Sequence, residues 1–185
     1  MRRMKRLVAC LALVCSMSAC GNAVDSSIVL LGDSIIEQLQ AEPSPHLNLG
    51  WNGARTAGIL ERAGKVPPTA RHVFVEGGIN DLLGGDGSPI LDHYARILNA
   101  LPGGARVHML GILPVEEPRL RADFAARVSN DRIAGINSKL RALCSTIQRC
   151  TWVPAVAIET DDGIHPTRQG RDALRRMISG ALKAG

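Results

Sequence analysis

Residues 27–39 read "SIVLLGDSIIEQL", and this stretch decides the fold. Four apolar residues, 28–31, run without alternation, as a strand does when both of its faces are buried. The run stops at Gly32-Asp33-Ser34, and an amphipathic helical pattern begins at once. Ser34 has two readings here. It is either a helix N-cap beside a turn glycine or a nucleophile set at the end of a core strand. Further apolar runs lie at 46–49, 72–75, 107–113 and 151–153, each followed by loop residues and then a helical pattern. Ser88 and Pro89 open one helix, with Ile90, Tyr94, Ile97, Leu98 and Leu101 on one face and Gly103-Gly104 behind it. Ile133, Ile136, Leu140, Leu143 and Ile147 make a second stripe, and a last helix from about Pro166 carries Leu174, Met177, Ile178 and Leu182. Strands alternating with helices predict a parallel sheet covered on both faces. The expectation is a single three-layer α/β/α domain over residues 27–185, five strands in the sheet, with no internal repeat or interdomain linker.

The 185 residues suit one domain, and 45% hydrophobic with 21% charged content is ordinary for a globular chain. Aromatics at 3% are too scarce for the stacking platforms that bind single-stranded nucleic acid. The net charge of +5 points no further that way, because Arg2, Arg3, Lys5 and Arg6 supply four of the positive charges. Beyond them 18 basic groups face 17 acidic ones, so no nucleic-acid partner is expected. "MRRMKR" followed by "LVACLALVCSMSA" has the charged and apolar parts of a secretory signal over residues 1–19, and residues 20–26 read as a tether. "MSACGN" resembles a bacterial lipobox, with Met17 where Leu is usual. That resemblance implies a lipid on Cys20 and an exported protein held at a membrane surface of the bacterial cell envelope, periplasmic or outer. Ordinary signal-peptidase cleavage is the alternative. Cys144 and Cys150 remain as an even pair flanking a short helix-to-strand connection. They are either a disulfide or two separately buried thiols.

In open parallel sheets the functional crevice lies beyond the carboxyl ends of the strands. The first strand ends in Gly32-Asp33-Ser34, and the second runs into "NLGWNG", residues 48–53. The third runs into "GGIND", residues 77–81, and "DDGIHPT", residues 161–167, follows the fifth. These groups fit acyl transfer. A serine hydroxyl needs a base to take its proton, which His165 can do near neutral pH. A carboxylate such as Asp162 holds the imidazole in the useful tautomer. The Ser34 and Gly53 backbone N–H groups and the Asn80 amide are the donors available to a tetrahedral oxyanion, while Asp33 is expected to anchor the turn by hydrogen bonds.

The four blocks, in this order, resemble those of the SGNH hydrolases, the GDSL lipase/acylhydrolase family, across the whole chain from Ser27 onward. Ile35 stands where that family's usual Leu would be, and the G-x-S-x-G elbow of ordinary α/β-hydrolases is absent because Ile36 replaces its second glycine. The resemblance implies a flavodoxin-like sheet, a catalytic set of Ser34, His165 and Asp162, and an oxyanion hole of Ser34, Gly53 and Asn80. Taken alone, Asp-x-x-His is also half of a metal site, but no second His or Cys stands at a ligand spacing, so no metal or cofactor is expected. His46, His72, His93 and His108 join no comparable constellation and read as structural or solvated. "GILPVEEPRL", residues 111–120, is expected to form one wall of the site and Trp51 another. Without a long insertion to form a lid, short acyl groups are favoured, such as acetyl on an envelope polysaccharide. The expected activity is hydrolysis of acyl esters through an acyl-enzyme. The alternatives are a thioesterase or lysophospholipase on the same site, or a catalytically silent envelope binding protein.

Overall fold

The computed structural model of the protein describes residues 25–41 and 46–184. The leader 1–19 and Cys20 lie outside the described residues. Five parallel strands form one sheet in the order β2-β1-β3-β4-β5, with β1 Asp25–Leu31, β2 His46–Asn48, β3 His72–Val75, β4 Arg106–Leu110 and β5 Cys150–Val153. The expected α/β/α architecture is therefore the observed one. β1 begins inside the stretch expected to be a tether, because Asp25 already pairs with His46.

The register explains why the strands read as unbroken apolar runs. Val29, Val73 and Val107 are cross-strand neighbours, as are Leu31, Val75 and Met109, while Leu30, Phe74 and His108 form a row on the other face. All but His108 are apolar, and all of these residues are buried. His108 is accommodated by stacking on Phe74, with ring centroids 4.3 Å apart, and by a 3.0 Å contact from its Nε2 to His72 Nδ1. Burial, with the neighbouring His72, lowers its pKa to about 4, so this core histidine is neutral.

Among the described residues seven α-helices connect and cover the strands: α1 Ser34–Glu37, α2 Thr56–Ala63, α3 Ile79–Leu83, α4 Ile90–Ala100, α5 Ala122–Ala125, α6 Asn130–Ser145 and α7 Arg168–Ala184. α2, α4 and α6 pack side by side, and α7 packs against the turn that follows α1. The stripe read from the sequence is the buried face of α4, where Ile90, Tyr94, Ile97 and Leu98 enter the core. In α6 the buried set is Ile133, Leu140 and Cys144, with Ile136 and Leu143 only half-buried.

The apolar run 107–113 is not one strand. β4 ends at Leu110, Gly111 N–H still donates to Val153 C=O at 3.0 Å, and residues 112–115 then leave the sheet while Ile112, Leu113 and Val115 stay buried. Their backbone polar groups need partners off the ladder, and α6 supplies them. The Asn137 side chain accepts from Ile112 N–H at 2.9 Å and donates to Ile112 C=O at 2.9 Å, and Asn130 does the same for Val115 at 2.9 and 3.0 Å. Cys144 and Cys150 are bonded to one another where α6 passes into β5, with their Cα atoms 5.3 Å apart. This is the edge of the sheet opposite the motif-bearing loops.

Candidate active site

The strand ends deliver the sequence motifs to one crevice. After Leu31 the chain turns into α1, and Asp33, not Ser34, is the N-cap: its Oδ1 accepts from Ile35 N–H at 2.9 Å. Ser34 is therefore the first residue of the helix, where backbone N–H groups have no intrahelical partner. Its hydroxyl faces the loop that precedes α7, and Ser34 Oγ lies 3.1 Å from His165 Nε2. On the other side of the ring His165 Nδ1 lies 2.7 Å from Asp162 Oδ2.

Asp162 organises its loop by using both oxygens, since Oδ1 also accepts from Ile164 N–H at 3.0 Å and from His165 N–H at 2.8 Å. Partial burial pushes its carboxyl up, but the His165 backbone and ring, together with the Ile164 N–H, outweigh this and hold it below the ordinary aspartate value. An ionised Asp162 can only accept, so Nδ1 carries the ring proton and the Nε2 lone pair is turned to Ser34. Gly163, at φ +92°, makes the tight turn possible, and a side chain there would press on Leu120 and the Glu116 carbonyl. Those contacts belong to the segment 111–120, which is tied to this loop. Glu116 N–H donates to Gly163 C=O at 2.9 Å, Thr160 N–H donates to Glu116 Oε1 at 2.8 Å, and the Arg119 guanidinium donates to the Thr160 carbonyl.

The second motif lies against the first. Leu49 N–H donates to Leu30 C=O at 2.7 Å and Trp51 N–H to Gly32 C=O at 3.1 Å. Gly53 adopts φ +70° in the turn closed by Ala54 N–H on Trp51 C=O at 3.1 Å, a conformation that costs glycine little. Trp51 is 47% exposed, with the Arg62 guanidinium 4.7 Å above its ring. Asn80, in the first turn of α3, donates from Nδ2 to Ala54 C=O at 3.0 Å and lies 3.5 Å from Asp33 Oδ2. Its amide therefore bridges the serine turn and the Gly53 loop, and only one of its two N–H groups is firmly used.

Behind this surface is a polar layer of which the motif reading assigned only Asp33, as the anchor of the turn. Asp33, Glu76 and Asp81 are all buried, as is Tyr94, whose hydroxyl donates to Gly77 C=O at 2.9 Å. Asp81 accepts from Thr56 N–H at 2.9 Å and Thr56 O–H at 2.8 Å, and Thr56 Oγ1 also lies 2.7 Å from His93 Nδ1. Glu76 follows the last residue of β3 directly, its N–H donates to Leu31 C=O at 3.1 Å, and its carboxyl interacts with that of Asp33 in the turn beyond. Burial raises the pKa of both, Asp33 to about 6 and Glu76 well above the ordinary glutamate value. The signal was present as an acid closing the core run "HVFVE", but nothing local says what it meets. A cavity of about 630 Å³ beside Gly103, Arg106, Arg149 and Thr151 lies at the amino ends of β4 and β5, away from this crevice. Among the described residues no group of three His, Cys, Asp or Glu side chains is placed to hold a metal ion.

Comparison with known proteins gives the family and the fold. Residues 19–173 match the sequence model of the GDSL-like Lipase/Acylhydrolase family. No curated protein matches the chain. Among solved structures, one described as a platelet activating factor from Streptococcus pneumonia superposes with a TM-score of 0.74 at 24% identity, covering 90% of this chain and 86% of that one. A GDSL-like lipase from Bacteroides thetaiotaomicron gives 0.70 at 18% identity, covering 85% and 87%. The C-terminal catalytic domain of a Streptococcus pneumoniae peptidoglycan O-acetyltransferase, carrying a methylsulfonyl adduct, gives 0.57 at 16% identity, covering 85% and 92%. These likenesses establish the shared fold.

Proposed function

The chain belongs to the GDSL-like lipase/acylhydrolase family, whose members hydrolyse ester substrates, and from that premise we propose that it is a serine esterase with Ser34 as nucleophile, His165 as base and Asp162 as the group that orients it. One observation carries the reading. The chain Ser34 Oγ, His165 Nε2, His165 Nδ1, Asp162 Oδ2 is continuous, with contacts of 3.1 and 2.7 Å. His165 Nε2 takes the Ser34 proton as Oγ adds to the ester carbonyl carbon. The negative charge on the carbonyl oxygen is met by the Ser34 and Gly53 backbone N–H groups and the second N–H of Asn80, which otherwise reaches Asp33 Oδ2 at 3.5 Å. Collapse of the intermediate breaks the bond to the alcohol, which leaves with the proton from His165. Water then enters by the same route, releasing the acid and restoring Ser34. No step in this cycle calls on a metal or cofactor.

Trp51 stands exposed in the loop bonded to Gly32, and segment 111–120 is tied to the loop that carries His165; walls of this kind, without a long insertion beside them in the sequence, support short acyl groups. A fold relative named as a peptidoglycan O-acetyltransferase is in keeping with acetyl on an envelope polysaccharide as the substrate class. A fluorophosphonate probe should label the folded protein at Ser34, and turnover of p-nitrophenyl esters should fall as the acyl chain lengthens. A folded protein left unlabelled at Ser34 overturns the catalytic reading, whereas peak turnover on long chains overturns only the short-acyl one. The same proposal places the enzyme at a bacterial membrane surface through lipid on Cys20, the residue following the apolar leader. Stable attachment of this kind takes more than one acyl chain. Cys20→Ala should abolish lipidation and release the protein from the membrane fraction, and unchanged fractionation overturns the anchor.

A further inference from the structure

The carboxyl of Glu76 is completely buried at the carboxyl end of β3, and among the described residues no amide, hydroxyl or cation donates to either of its oxygens. Glu76 N–H donates to Leu31 C=O at 3.1 Å and the Glu76 carbonyl lies against Gly32, so the residue packs on the turn that carries the equally buried Asp33, the acid its carboxyl interacts with most directly. Two ionised carboxylates are both acceptors and repel, so this contact requires a proton. Asp33 receives the Ile35 N–H and has the Asn80 amide nearby, whereas Glu76 has no such support, which makes Glu76 the member that keeps the proton.

We propose that Glu76 is a positioning residue of the esterase: its neutral carboxyl donates to the Asp33 carboxylate and thereby leaves the second N–H of Asn80 free for the oxyanion. The inference rests on the reading of Asn80 as an oxyanion donor. Asn80 has one N–H committed to Ala54 C=O and the other between Asp33 Oδ2, at 3.5 Å, and the crevice. Asp33 competes with the substrate for that second N–H. A hydrogen bond from Glu76 draws down the negative charge on Asp33 and weakens the competition, at no cost to substrate binding. The other titratable groups around the pair are Asp81 from α3, Tyr94 from α4 and His165 from the loop before α7, with His93 reaching Asp81 only through Thr56. None of the acids among them neutralises the pair, and His165 is committed to Asp162 and Ser34.

The test compares Glu76→Leu, Glu76→Gln and Asn80→Ala in steady-state turnover of one p-nitrophenyl ester. Glu76→Leu should lower kcat about ten- to hundredfold with KM little changed, the scale of one lost charge-assisted hydrogen bond. Glu76→Gln, whose amide still donates to Asp33, should recover kcat to within about threefold of the parent. In the Asn80→Ala background Glu76→Leu should cost almost nothing further, because both changes act through one donor. Parental kcat in Glu76→Leu, equal losses in the Leu and Gln variants, or losses that multiply with Asn80→Ala each overturn the proposal. If Glu76→Leu does not fold, the alkaline side of the kcat profile decides. The parent should lose kcat as the pair gives up its last proton and Glu76→Gln should not, and parallel profiles overturn the role. Ser34→Ala separates the two levels: should it retain turnover, the esterase reading fails whatever Glu76 does.

Discussion

Asp162 and Asp33 are both aspartates one hydrogen bond from the reacting groups, yet the fold treats them in opposite ways. The Asp162 side chain is 54% exposed on a loop, takes two backbone N–H groups and a ring N–H, and is held below its ordinary pKa. Asp33 is fully buried at the end of a core strand, faces a second carboxyl, and is pushed up to about 6 by burial. The residue type is the same, so the difference lies in solvent and donors. On the proposed mechanism the exposed carboxylate is the anion that orients the base. The buried one belongs to a proton-sharing pair that supports the nucleophile turn from behind. Ways to break this division of labour can be ranked by how much activity each should remove.

The largest loss should come from the reacting chain itself. Ser34→Ala or His165→Ala should lower kcat about 10⁴-fold or more, and the double variant should be scarcely worse than either, since nucleophile and base act as one unit. Independent, multiplying losses in single-turnover measurements would mean that the two are not partners. Asp162→Ala should be milder than His165→Ala, about 10³–10⁴-fold, because a misoriented imidazole is still a base. Asn80→Ala should cost about 10²–10³-fold in kcat with KM little changed, as for a single oxyanion donor. Circular dichroism should report a native fold for all of them. A loss in Asn80→Ala that fell on KM instead would place the amide in ground-state binding.

This ranking also separates what the sequence makes legible from what it does not. The strand runs and helix stripes are local periodicities, and each was enough to place an element. Gly32-Asp33-Ser34, Gly53, Asn80 and Asp162-x-x-His165 are brought together in the crevice by a rule about where parallel strands end. Local pattern fails where a contact joins distant segments. The run 107–113 looked like one strand because Ile112 and Leu113 are as apolar as β4 itself, and only the Asn137 and Asn130 side chains of α6 let that backbone leave the ladder. His108 reads as either structural or solvated until the register sets it between Phe74 and His72. Glu76 is the same kind of case, since its meaning depends on Asp33, which stands 43 residues earlier in the chain.

The finest test of the comparison leaves chemistry aside and reads the two carboxyl environments through stability alone. Asp162 has a folded pKa below its ordinary value of 3.8. Its contribution to stability is therefore present above 3.8 and is lost as pH falls through the folded value. Glu76 is shifted the other way, raised well above 4.5 by burial and by Asp33. Its contribution is full below 4.5 and is lost as pH rises toward the folded value, because the native state then holds a proton that the unfolded chain has released. Each group bends stability by at most about 1.4 kcal/mol per pH unit, or roughly 3–5 °C in Tm per unit for a domain of this size. Asp162→Asn should flatten the acid side of the Tm profile and leave the neutral-to-alkaline side parallel to the parent. Glu76→Gln should do the reverse, gaining on the parent as pH rises. If Glu76→Gln ran parallel to the parent from pH 5 upward, Glu76 would not be the residue that keeps the proton, and the contrast between a solvated anion and a buried proton-sharing pair would have to be redrawn.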